Sequence, residues 1–487
     1  MPETVRNTIS FLLDDEEIQL HDVDPNRTVL QWLREDRQRT GTKEGCAEGD
    51  CGACAVVIAE LDADGKNLRH RAVNSCIQFL PTLDGKQLIT VENLQNKDGT
   101  LHPVQQAMVD EHGSQCGFCT PGFVMSMYAL FETVDKPTRV EIDDALAGNL
   151  CRCTGYRPII SATQKMYELP KPASRHTATV AALRKLRIEG TVGVEANGRR
   201  YYAPSTLKEL SELVQKNPAA HLLAGGTDVG LWVTKQHQEL DSIIYVGAVA
   251  ELQTVTKTKS HLELGAAVTF TDAMPVLNTL YPQLDELLRR FAGPPIRNAA
   301  TIGGNIANGS PIGDSMPALI ALDTILVLRR GDATRELALD EFYLAYQQTA
   351  LAEGEFLERI RIPLPDPALQ LCTYKISKRF DQDISAVCAA FAVRLDGDTV
   401  AGIRIAYGGV AAIPSRAPKC ERVLTGAKWT EKTVLAATQA LEQDFSPISD
   451  MRATDEYRMQ VSKNLLLKFF YATTQSDPPV SVYSYGR

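Results

Sequence analysis

Apolar and polar residues alternate over residues 7–20, and the alternation breaks at Asp14-Asp15, which predicts a β-hairpin. Thr28-Val-Leu-Gln31 has the form of a capping box, so a helix is expected to begin there. Further strands are predicted around 55–61 and 87–91. The first region of the chain is therefore expected to combine a hairpin, one helix and flanking strands.

The apolar spacing becomes helical from about residue 97. One helix is predicted to begin at Pro103, because proline is favoured in the first turn of a helix. Gly122–Thr133 has apolar residues at helical spacing, Thr138-Arg-Val-Glu141 is a second capping box, and Pro158 begins a fourth predicted helix. This region is expected to be a helical domain.

The rest of the chain mixes strands and helices. A buried strand is predicted over His221–Ala224, and it ends in a Gly-Gly turn. Between the helical region and this strand, residues 171–199 are basic and poor in aromatic residues, and they lack a sustained apolar face, which predicts a surface linker. The strands and helices of the last region are predicted at 372–377, 386–394, 401–408, 430–443 and 453–472.

Length and composition describe an ordinary globular protein of several domains. The 487 residues predict three or four domains, with 44% hydrophobic and 23% charged residues. The net charge of −9 argues against nucleic acid or an anionic membrane surface as a partner. No apolar run approaches the ~20 residues of a membrane span, and the N-terminal residues lack the pattern of a secretory signal. A cytoplasmic location is expected.

Three cysteines lie within one glycine-rich loop, and a fourth follows 21 residues later. This C-x4-C-x2-C spacing is the plant-type arrangement for a [2Fe–2S] cluster. Gly45, Gly49 and Gly52 allow positive φ angles and let backbone N–H groups approach the cluster sulfurs. The alternatives are a disulfide pair or a zinc site, but zinc favours two separated C-x2-C pairs. The ligands predicted for this first cluster are Cys46, Cys51, Cys54 and Cys76.

Four more cysteines lie in the connections between the predicted helices, in QCGFCTPG and NLCRCTGYRP. A C-x2-C pair facing a C-x-C pair is compatible with a closed zinc site as well as with an iron–sulfur cluster. The preceding cluster motif favours iron, and the short C-x-C segment is expected to place two ligands on one iron. The members of this second group are Cys116, Cys119, Cys151 and Cys153. The three later cysteines receive no role.

Two glycine-rich segments are candidate phosphate-binding loops. The strand at His221–Ala224 opens into Gly225-Gly226-Thr227-Asp228, and Gly303-Gly304-Asn305 repeats the pattern downstream. Backbone N–H groups in such turns can face an anion, so two of these loops could bind the two phosphates of a dinucleotide. A glycine pair alone is usually just a turn. The G-x-G-x-x-G pattern is absent, so a Rossmann site is not indicated.

The cysteine motifs GCAEGDCGACAV, QCGFCTPG and NLCRCTGYRPI resemble the iron–sulfur domains of the molybdenum hydroxylases, a family that includes xanthine dehydrogenase and aldehyde oxidase types. The segments LLAGGTDVG and TIGGNIANGSPIGD resemble the FAD domain of the same enzymes. The resemblance implies a multidomain α+β chain. Its parts are a ferredoxin-like β-grasp [2Fe–2S] domain over 1–95, a four-helix [2Fe–2S] domain over 96–170, a linker over 171–199, a vanillyl-alcohol-oxidase-type FAD domain over 200–366 and an α+β C-terminal flavoprotein domain over 367–487.

The resemblance also implies roles for individual residues. Gln115, before the first cysteine of the second group, is expected to contact a pterin across an interface. Phe291 and Leu357 would line the flavin pocket, although from the sequence alone both read as ordinary core residues. Asp314 would accept a hydrogen bond from a ribityl hydroxyl, and Lys375 would contact the flavin. The remaining residues expected to bind FAD are Leu222, Leu223, Ala224, Gly225, Gly226, Thr227, Asp228, Val229, Thr301, Ile302, Gly303, Gly304 and Asn305.

The function implied by the resemblance is electron transfer. No region matches a molybdopterin domain, and a chain with iron–sulfur and FAD domains together resembles the small subunit of the bacterial xanthine dehydrogenase type. We therefore expect a large molybdopterin-binding partner subunit in a heterotetramer of two small and two large chains, with NAD⁺ as the acceptor. No catalytic residue for substrate oxidation is expected in this chain. The alternatives are an aldehyde or N-heterocycle hydroxylase with another acceptor, and a zinc-stabilised binding scaffold.

Overall fold

The computed structural model describes residues 6–96, 98–173, 175–187 and 190–475. The predicted ends of the first and last domains, residues 1 and 487, lie outside the described residues. The strands are β1 (Ile9–Leu13), β2 (Glu16–Leu20), β3 (Ala55–Leu61), β4 (Leu68–Asn74), β5 (Gln87–Ile89), β6 (Val192–Ala196), β7 (Arg199–Ala203), β8 (His221–Leu223), β9 (Ser242–Tyr245), β10 (Val255–Lys257), β11 (His261–Gly265), β12 (Ile325–Arg330), β13 (Ala333–Ala338), β14 (Tyr343–Ala345), β15 (Gln348–Thr349), β16 (Phe356–Pro363), β17 (Leu369–Ile376), β18 (Val387–Asp396), β19 (Thr399–Gly408) and β20 (Ser415–Arg416).

Helices occur in both halves of the chain. They are α1 (Val29–Gln31), α2 (Pro103–Asp110), α3 (Thr120–Thr133), α4 (Arg139–Leu146), α5 (Arg157–Lys165), α6 (His176–Leu186), α7 (Leu207–Lys216), α8 (Val229–Thr234), α9 (Phe270–Leu280), α10 (Asp285–Arg290), α11 (Pro294–Arg297), α12 (Ile302–Asn308), α13 (Ser315–Ala321), α14 (Pro418–Leu424), α15 (Glu431–Asp444) and α16 (Asp455–Thr474). A π-helical turn, Trp32–Asp36, continues α1. Within the described ranges, no helix is long and apolar enough to cross a membrane.

The chain divides into two compact units. The first contains Met1–Glu251 and Ala292–Ala300, and the second contains Leu252–Phe291 and Thr301–Arg487. The residues predicted as one FAD-binding domain therefore contribute to both units. The domain boundaries given above remain predictions.

A five-stranded sheet of order β2-β1-β5-β3-β4 opens the first unit. The predicted hairpin is confirmed as β1 and β2, which pair antiparallel from Ile9–Leu20 to Leu13–Glu16. Successive side chains of β3 point to opposite faces, so Val56 and Ile58 enter one core while Val57 enters the other. The sheet is therefore buried on both faces.

One face of this sheet is covered by α2–α5. Phe123 and Met127 of α3 and Ile159 of α5 pack with Val57 in the shared core. The predicted capping box at Thr138 is confirmed, because its side chain accepts from the Glu141 backbone N–H while the Glu141 side chain accepts from the Thr138 backbone. The predicted helical domain is thus present and packed on the sheet.

The opposite face of the sheet packs against a four-stranded sheet of order β6-β7-β9-β8. Residues 171–199 differ from the prediction, because they include the helix α6. Val180, Leu183 and Leu186 of α6 are buried, and Leu183 and Leu186 pack with Leu12. Their spacing of three residues gives α6 a short apolar face. The segment also contains β6, so the prediction of a surface linker was wrong for these two elements.

The second unit is built on two larger sheets. One has the order β10-β11-β16-β12-β13 and the other the order β17-β18-β19-β20, and neighbouring strands in both are antiparallel. The helices α14–α16 pack on the second sheet around Phe391, Tyr407 and Phe469. The strands and helices predicted for residues 372–472 are confirmed within a few residues at each end. The multidomain α+β fold class is confirmed as well.

Candidate iron–sulfur and flavin sites

The first group of four thiols is brought together as predicted. Cys46 and Cys51 lie on the glycine-rich loop before β3, and their thiols contact each other. Cys54 and Cys76 form the second contacting pair and are both buried. Asn74 helps to fix the loop, because its Nδ2 donates to the Gly49 carbonyl at 2.7 Å.

Backbone N–H groups surround the sulfur of Cys46. Those of Cys51, Asp50 and Glu48 lie 3.3, 3.4 and 3.5 Å from it. The Cys51 thiol and these N–H groups lower the pKa of Cys46 to about 5, whereas the same thiol pair raises the pKa of Cys51. N–H donation to cluster sulfurs was predicted for this loop, and such donation tunes the reduction potential of a bound cluster.

The second group of thiols lies where two connections meet helix N-termini. Cys116 and Cys119 precede α3, and Cys151 and Cys153 precede α5. The contacts pair Cys119 with Cys151 and Cys116 with Cys153. The expectation that the C-x-C segment places both of its thiols together was therefore wrong, since each one meets a thiol of the other segment. Helix N-termini favour negative charge, which suits an anionic cluster.

Three side chains around Cys151 define its geometry. Its backbone N–H donates to the hydroxyl of Tyr156 at 3.1 Å, and its sulfur lies 3.1 Å from the hydroxyl of Thr154. Burial opposes ionisation, but the bonds from Thr154 and the Cys119 thiol lower the pKa of Cys151 overall. Burial and the Cys151 thiol together raise the pKa of Cys119 to about 12.

Two contacting thiol pairs in each group match a binuclear cluster, in which each iron takes two thiolates. The residues present thus fit two [2Fe–2S] clusters.

The two thiol groups are joined through the backbone of the first unit. The N–H of Leu150, next to Cys151, donates to the carbonyl of Cys51 at 3.0 Å. A Cβ on Gly52 would lie 2.2 Å from the carbonyl oxygen of Gly148, and one on Gly122 would lie 2.2 Å from the carbonyl oxygen of Gly52. Glycine is therefore required at these positions so that the two segments can touch.

The first glycine-rich segment, Leu222–Val229, connects β8 to α8 in the first unit. Gly225 packs so tightly that an added Cβ would lie 1.9 Å from the carbonyl oxygen of Ala299, and Gly226 has a φ of +70°. Among the described residues, the backbone N–H groups of Gly225, Gly226 and Thr227 have no hydrogen-bond partner. These donors fit the predicted role in anion binding.

The second glycine-rich segment, Thr301–Asn305, begins α12 in the second unit. The hydroxyl of Thr301 accepts from the N–H of Gly304 at 2.9 Å. An added Cβ on Gly303 would lie 2.4 Å from the carbonyl oxygen of Ala266, so close packing already explains this glycine. The side chain of Asn305 accepts from Ser315 at 2.5 Å, which fixes it beside the start of α13.

Two residues for which the resemblance implies contact with the flavin form a buried ion pair. The Nζ of Lys375 lies 2.5 Å from the Oδ2 of Asp314, and the two side chains are 2% and 5% exposed. The hydroxyl of Ser385 donates to the other oxygen of Asp314 at 2.5 Å. Both carboxylate oxygens of Asp314 thus already have a partner, which the sequence did not reveal.

The other predicted residues are placed individually. Phe291 stacks on Phe270 with ring centroids 4.2 Å apart, and Leu357 is buried in β16. Gln115 is exposed. Asn74 was not predicted as a site residue, because no motif in the sequence marks it.

Family matches cover most of the chain. Residues 11–80 match a 2Fe-2S iron-sulfur cluster binding domain and 90–164 match a [2Fe-2S] binding domain. Residues 194–365 match the FAD binding domain in molybdopterin dehydrogenase, and 372–473 match the CO dehydrogenase flavoprotein C-terminal domain. The two predicted iron–sulfur domains and the predicted FAD-binding domain are confirmed.

Xanthine dehydrogenase of Emericella nidulans is 35% identical over 96% of this chain and 38% of its own length. Xanthine dehydrogenase/oxidase of Gallus gallus is 31% identical over 97% of this chain and 40% of its own length. The chain thus spans about two fifths of the length of these relatives. Carbon monoxide dehydrogenase from Hydrogenophaga pseudoflava is a solved structure with 28% identity and a TM-score of 0.53, covering 56% of this chain and 96% of that one. Quinoline 2-oxidoreductase from Pseudomonas putida 86, with 23% identity and a TM-score of 0.51, is similar in fold over 55% of this chain and 94% of that one.

Two [2Fe-2S] domains and an FAD-binding domain on one chain define the class of iron–sulfur flavoproteins. Within that class, the chain belongs to the molybdenum hydroxylase family and contains its iron–sulfur and FAD domains.

Proposed function

We propose that this chain is the electron-transfer subunit of a xanthine dehydrogenase. The thiols of Cys116, Cys119, Cys151 and Cys153 would hold the cluster that receives electrons from purine hydroxylation at a molybdenum cofactor on a partner subunit. Those of Cys46, Cys51, Cys54 and Cys76 would hold the cluster that passes these electrons on to FAD, with NAD⁺ as the final acceptor. Iron–sulfur clusters carry single electrons, and FAD supplies the step from single electrons to a hydride. The names of the relatives support the purine substrate.

The contact between the two thiol segments carries this proposal. The N–H of Leu150, the residue before the predicted ligand Cys151, donates to the carbonyl of Cys51, a predicted ligand of the other cluster. Gly52 and Gly122 keep side chains out of this contact. A short, rigid connection between two groups of cluster ligands is what sequential electron transfer needs.

The second thiol group supports the proposed position of the partner. Cys116 and Cys153 are exposed, as is Gln115. Phe118 and Tyr156 lie beside these cysteines in sequence and are 49% and 39% exposed, although both are large apolar side chains. Exposed apolar residues beside a redox group are typical of a protein interface. We propose that the large molybdopterin-binding subunit covers this surface and that Gln115 contacts the pterin, in a heterotetramer of two small and two large subunits.

The flavin contacts are proposed for each unit separately. In the first unit, the N–H groups of Gly225–Thr227 have no hydrogen-bond partner in the described part of the chain, which supports binding of a phosphate by Leu222–Val229. In the second unit, Thr301–Asn305, Phe291 and Leu357 are proposed to contact FAD. There the ammonium of Lys375, which neutralises the Asp314 carboxylate, is proposed to contact the flavin. Asp314 is proposed to accept a further hydrogen bond from a ribityl hydroxyl, in addition to those from Lys375 and Ser385. Eleven cysteines without a disulfide support a cytoplasmic location.

The NAD⁺ assignment is tested on the purified chain alone. We expect NADH to bleach the flavin absorption anaerobically, since hydride transfer between NADH and flavin is reversible in this proposal. Flavin that stays oxidised in excess NADH contradicts NAD⁺ as the acceptor.

A hydroxylase with another substrate is the second candidate, because the similar solved structures include carbon monoxide dehydrogenase. Assays of the reconstituted complex with xanthine, an aldehyde and nicotinate separate the candidates. Turnover of xanthine with NAD⁺ supports the proposal, and turnover of nicotinate or an aldehyde alone supports the alternative.

A further inference from the structure

A cavity of about 460 Å³ in the second unit follows the outer edge of β17. Within the described residues, β17 ends the sheet order and pairs only with β18. The consecutive residues Leu371–Ser377 all line the cavity. Since successive side chains of a strand point to opposite faces, an unbroken run of lining residues means that the cavity follows the strand edge. Such an edge offers backbone N–H and C=O groups to a ligand.

Arg290 of α10 also lines the cavity, and its Nη2 donates to the Ser377 hydroxyl at the end of β17. Its Nη1 lies 3.1 Å from the carboxylate of Glu286, and its Nε donates to the carbonyl of Phe380 at 3.0 Å. Its guanidinium also lies 4.2 Å from the centroid of the Phe380 ring. The charge of Arg290 is therefore balanced within the wall, and the aromatic ring is fixed at the cavity.

Lys468 and Tyr374 supply two further polar groups at the cavity. Lys468 is exposed and places its Nζ 4.9 Å from the centroid of the Tyr374 ring, and in the described ranges no carboxylate lies within ion-pair distance of it. The buried Tyr374 hydroxyl interacts with the Cys372 thiol, and among the described residues it makes no other hydrogen bond. Burial and the Cys372 thiol raise the pKa of this hydroxyl, so it is a neutral donor.

We propose that this cavity binds a small organic anion that carries an amide group. The carboxylate pairs with Lys468 and accepts from the Tyr374 hydroxyl, the amide bonds to the β17 edge, and an apolar end packs on Phe380. The volume lies within the range of about 300–1,000 Å³ that is typical of small-molecule sites. This inference does not depend on the proposed electron transfer.

Hippurate, an aromatic amide with a carboxylate, is the probe, and hippuramide is its uncharged control. We expect calorimetry on the full cofactor-loaded chain to show hippurate binding about tenfold more tightly than hippuramide, because its contacts are charge-assisted. Lys468→Gln is expected to weaken hippurate binding about fivefold and Tyr374→Phe about threefold. The matched control Lys432→Gln, on the exposed side of α15, leaves binding unchanged.

A second measurement locates the ligand. Cys372 is half-buried and lines the cavity, whereas Cys388 and Cys420 are buried. Hippurate is expected to slow alkylation of Cys372 in the protein without substitutions. This measurement tests binding at the cavity even if a substituted variant does not fold. If millimolar hippurate gives no binding heat in calorimetry and does not protect Cys372 from alkylation, the proposal is overturned. Equal binding of hippuramide, or binding that Lys468→Gln and Tyr374→Phe leave unchanged, overturns it as well.

Discussion

Replacing Gly52 by alanine tests whether the contact between the two thiol segments depends on glycine. The added Cβ would lie 2.2 Å from the carbonyl oxygen of Gly148 and 2.7 Å from the Oδ1 of Asn149. Contacts below 3.0 Å force a shift, and the nearest atom here belongs to the backbone. Relief of this overlap is expected to move the Gly148–Leu150 segment away by about 1 Å and to break the hydrogen bond from Leu150 to Cys51.

The loss of stability expected for Gly52→Ala has three contributions. Gly52 has a φ of +72°, and a left-handed conformation costs about 1–2 kcal/mol for alanine. The broken hydrogen bond contributes about 1 kcal/mol, and overpacking contributes about 1–3 kcal/mol. Gly65→Ala is the matched control, because Gly65 has a φ of +66° and no atom within 4 Å of its added Cβ. The backbone contribution is common to both variants and cancels in the comparison. The free energy of unfolding is therefore expected to be about 2–4 kcal/mol lower for Gly52→Ala than for Gly65→Ala.

The assay follows the visible absorption of the iron–sulfur clusters during heating. For a unit of this size, the expected difference corresponds to a midpoint that is roughly 5–10 °C lower for Gly52→Ala than for Gly65→Ala. Iron per chain before heating shows whether both variants begin with their clusters. Equal midpoints would refute the reasoning, because the segments would then tolerate a side chain between them.

The remaining predictions concern an ion pair, a cluster loop and a buried histidine. Lys375→Met leaves the Asp314 carboxylate buried without its partner, so we expect the free energy of unfolding to fall by about 3–5 kcal/mol and the melting temperature to fall with it. Adding Asp314→Asn is expected to restore part of this stability, and a double variant without any recovery contradicts the pairing. Tyr156→Phe removes the acceptor for the Cys151 N–H, so we expect chelators to remove iron faster from the second cluster than from the first. Electron paramagnetic resonance follows the two clusters separately, and equal loss of iron from both argues against this role of Tyr156. Burial lowers the pKa of His102 to about 4 from its ordinary 6.5, so the unfolded chain takes up a proton first and stability falls as the pH drops between these values. His102→Asn keeps an N-cap acceptor and is expected to flatten this part of the profile of melting temperature against pH; an unchanged slope would exclude His102 as a cause.

Local signals in the sequence were sufficient to predict which thiols come together and many of the elements. The cysteine spacing around Cys46–Cys54 is confined to one loop, and its chemistry depends on that spacing alone. Strand β3 was expected at 55–61 and spans Ala55–Leu61. The capping box at Thr28 was recognised because both of its partners lie within four residues, and the structure contains both of its hydrogen bonds.

Features that depend on distant partners could not be predicted. Gly225 and Gly303 were interpreted as phosphate-binding residues, but each also has a packing reason in a backbone segment far along the chain, at Ala299 and Ala266. The pairing of Cys119 with Cys151 likewise requires two connections that only the folded bundle brings together. Helix α6 was missed because its short apolar face, which includes Leu183 and Leu186, is interrupted by basic residues, and its partner Leu12 lies in the first strand.

The central claim is that eight of the thiols hold two binuclear clusters in a chain that also binds a flavin. Its most direct test is the iron, zinc and FAD content of the protein produced with ample iron, sulfide and flavin. We predict about four irons and one FAD per chain, with no stoichiometric zinc. A colourless protein that contains zinc in place of iron would contradict the account.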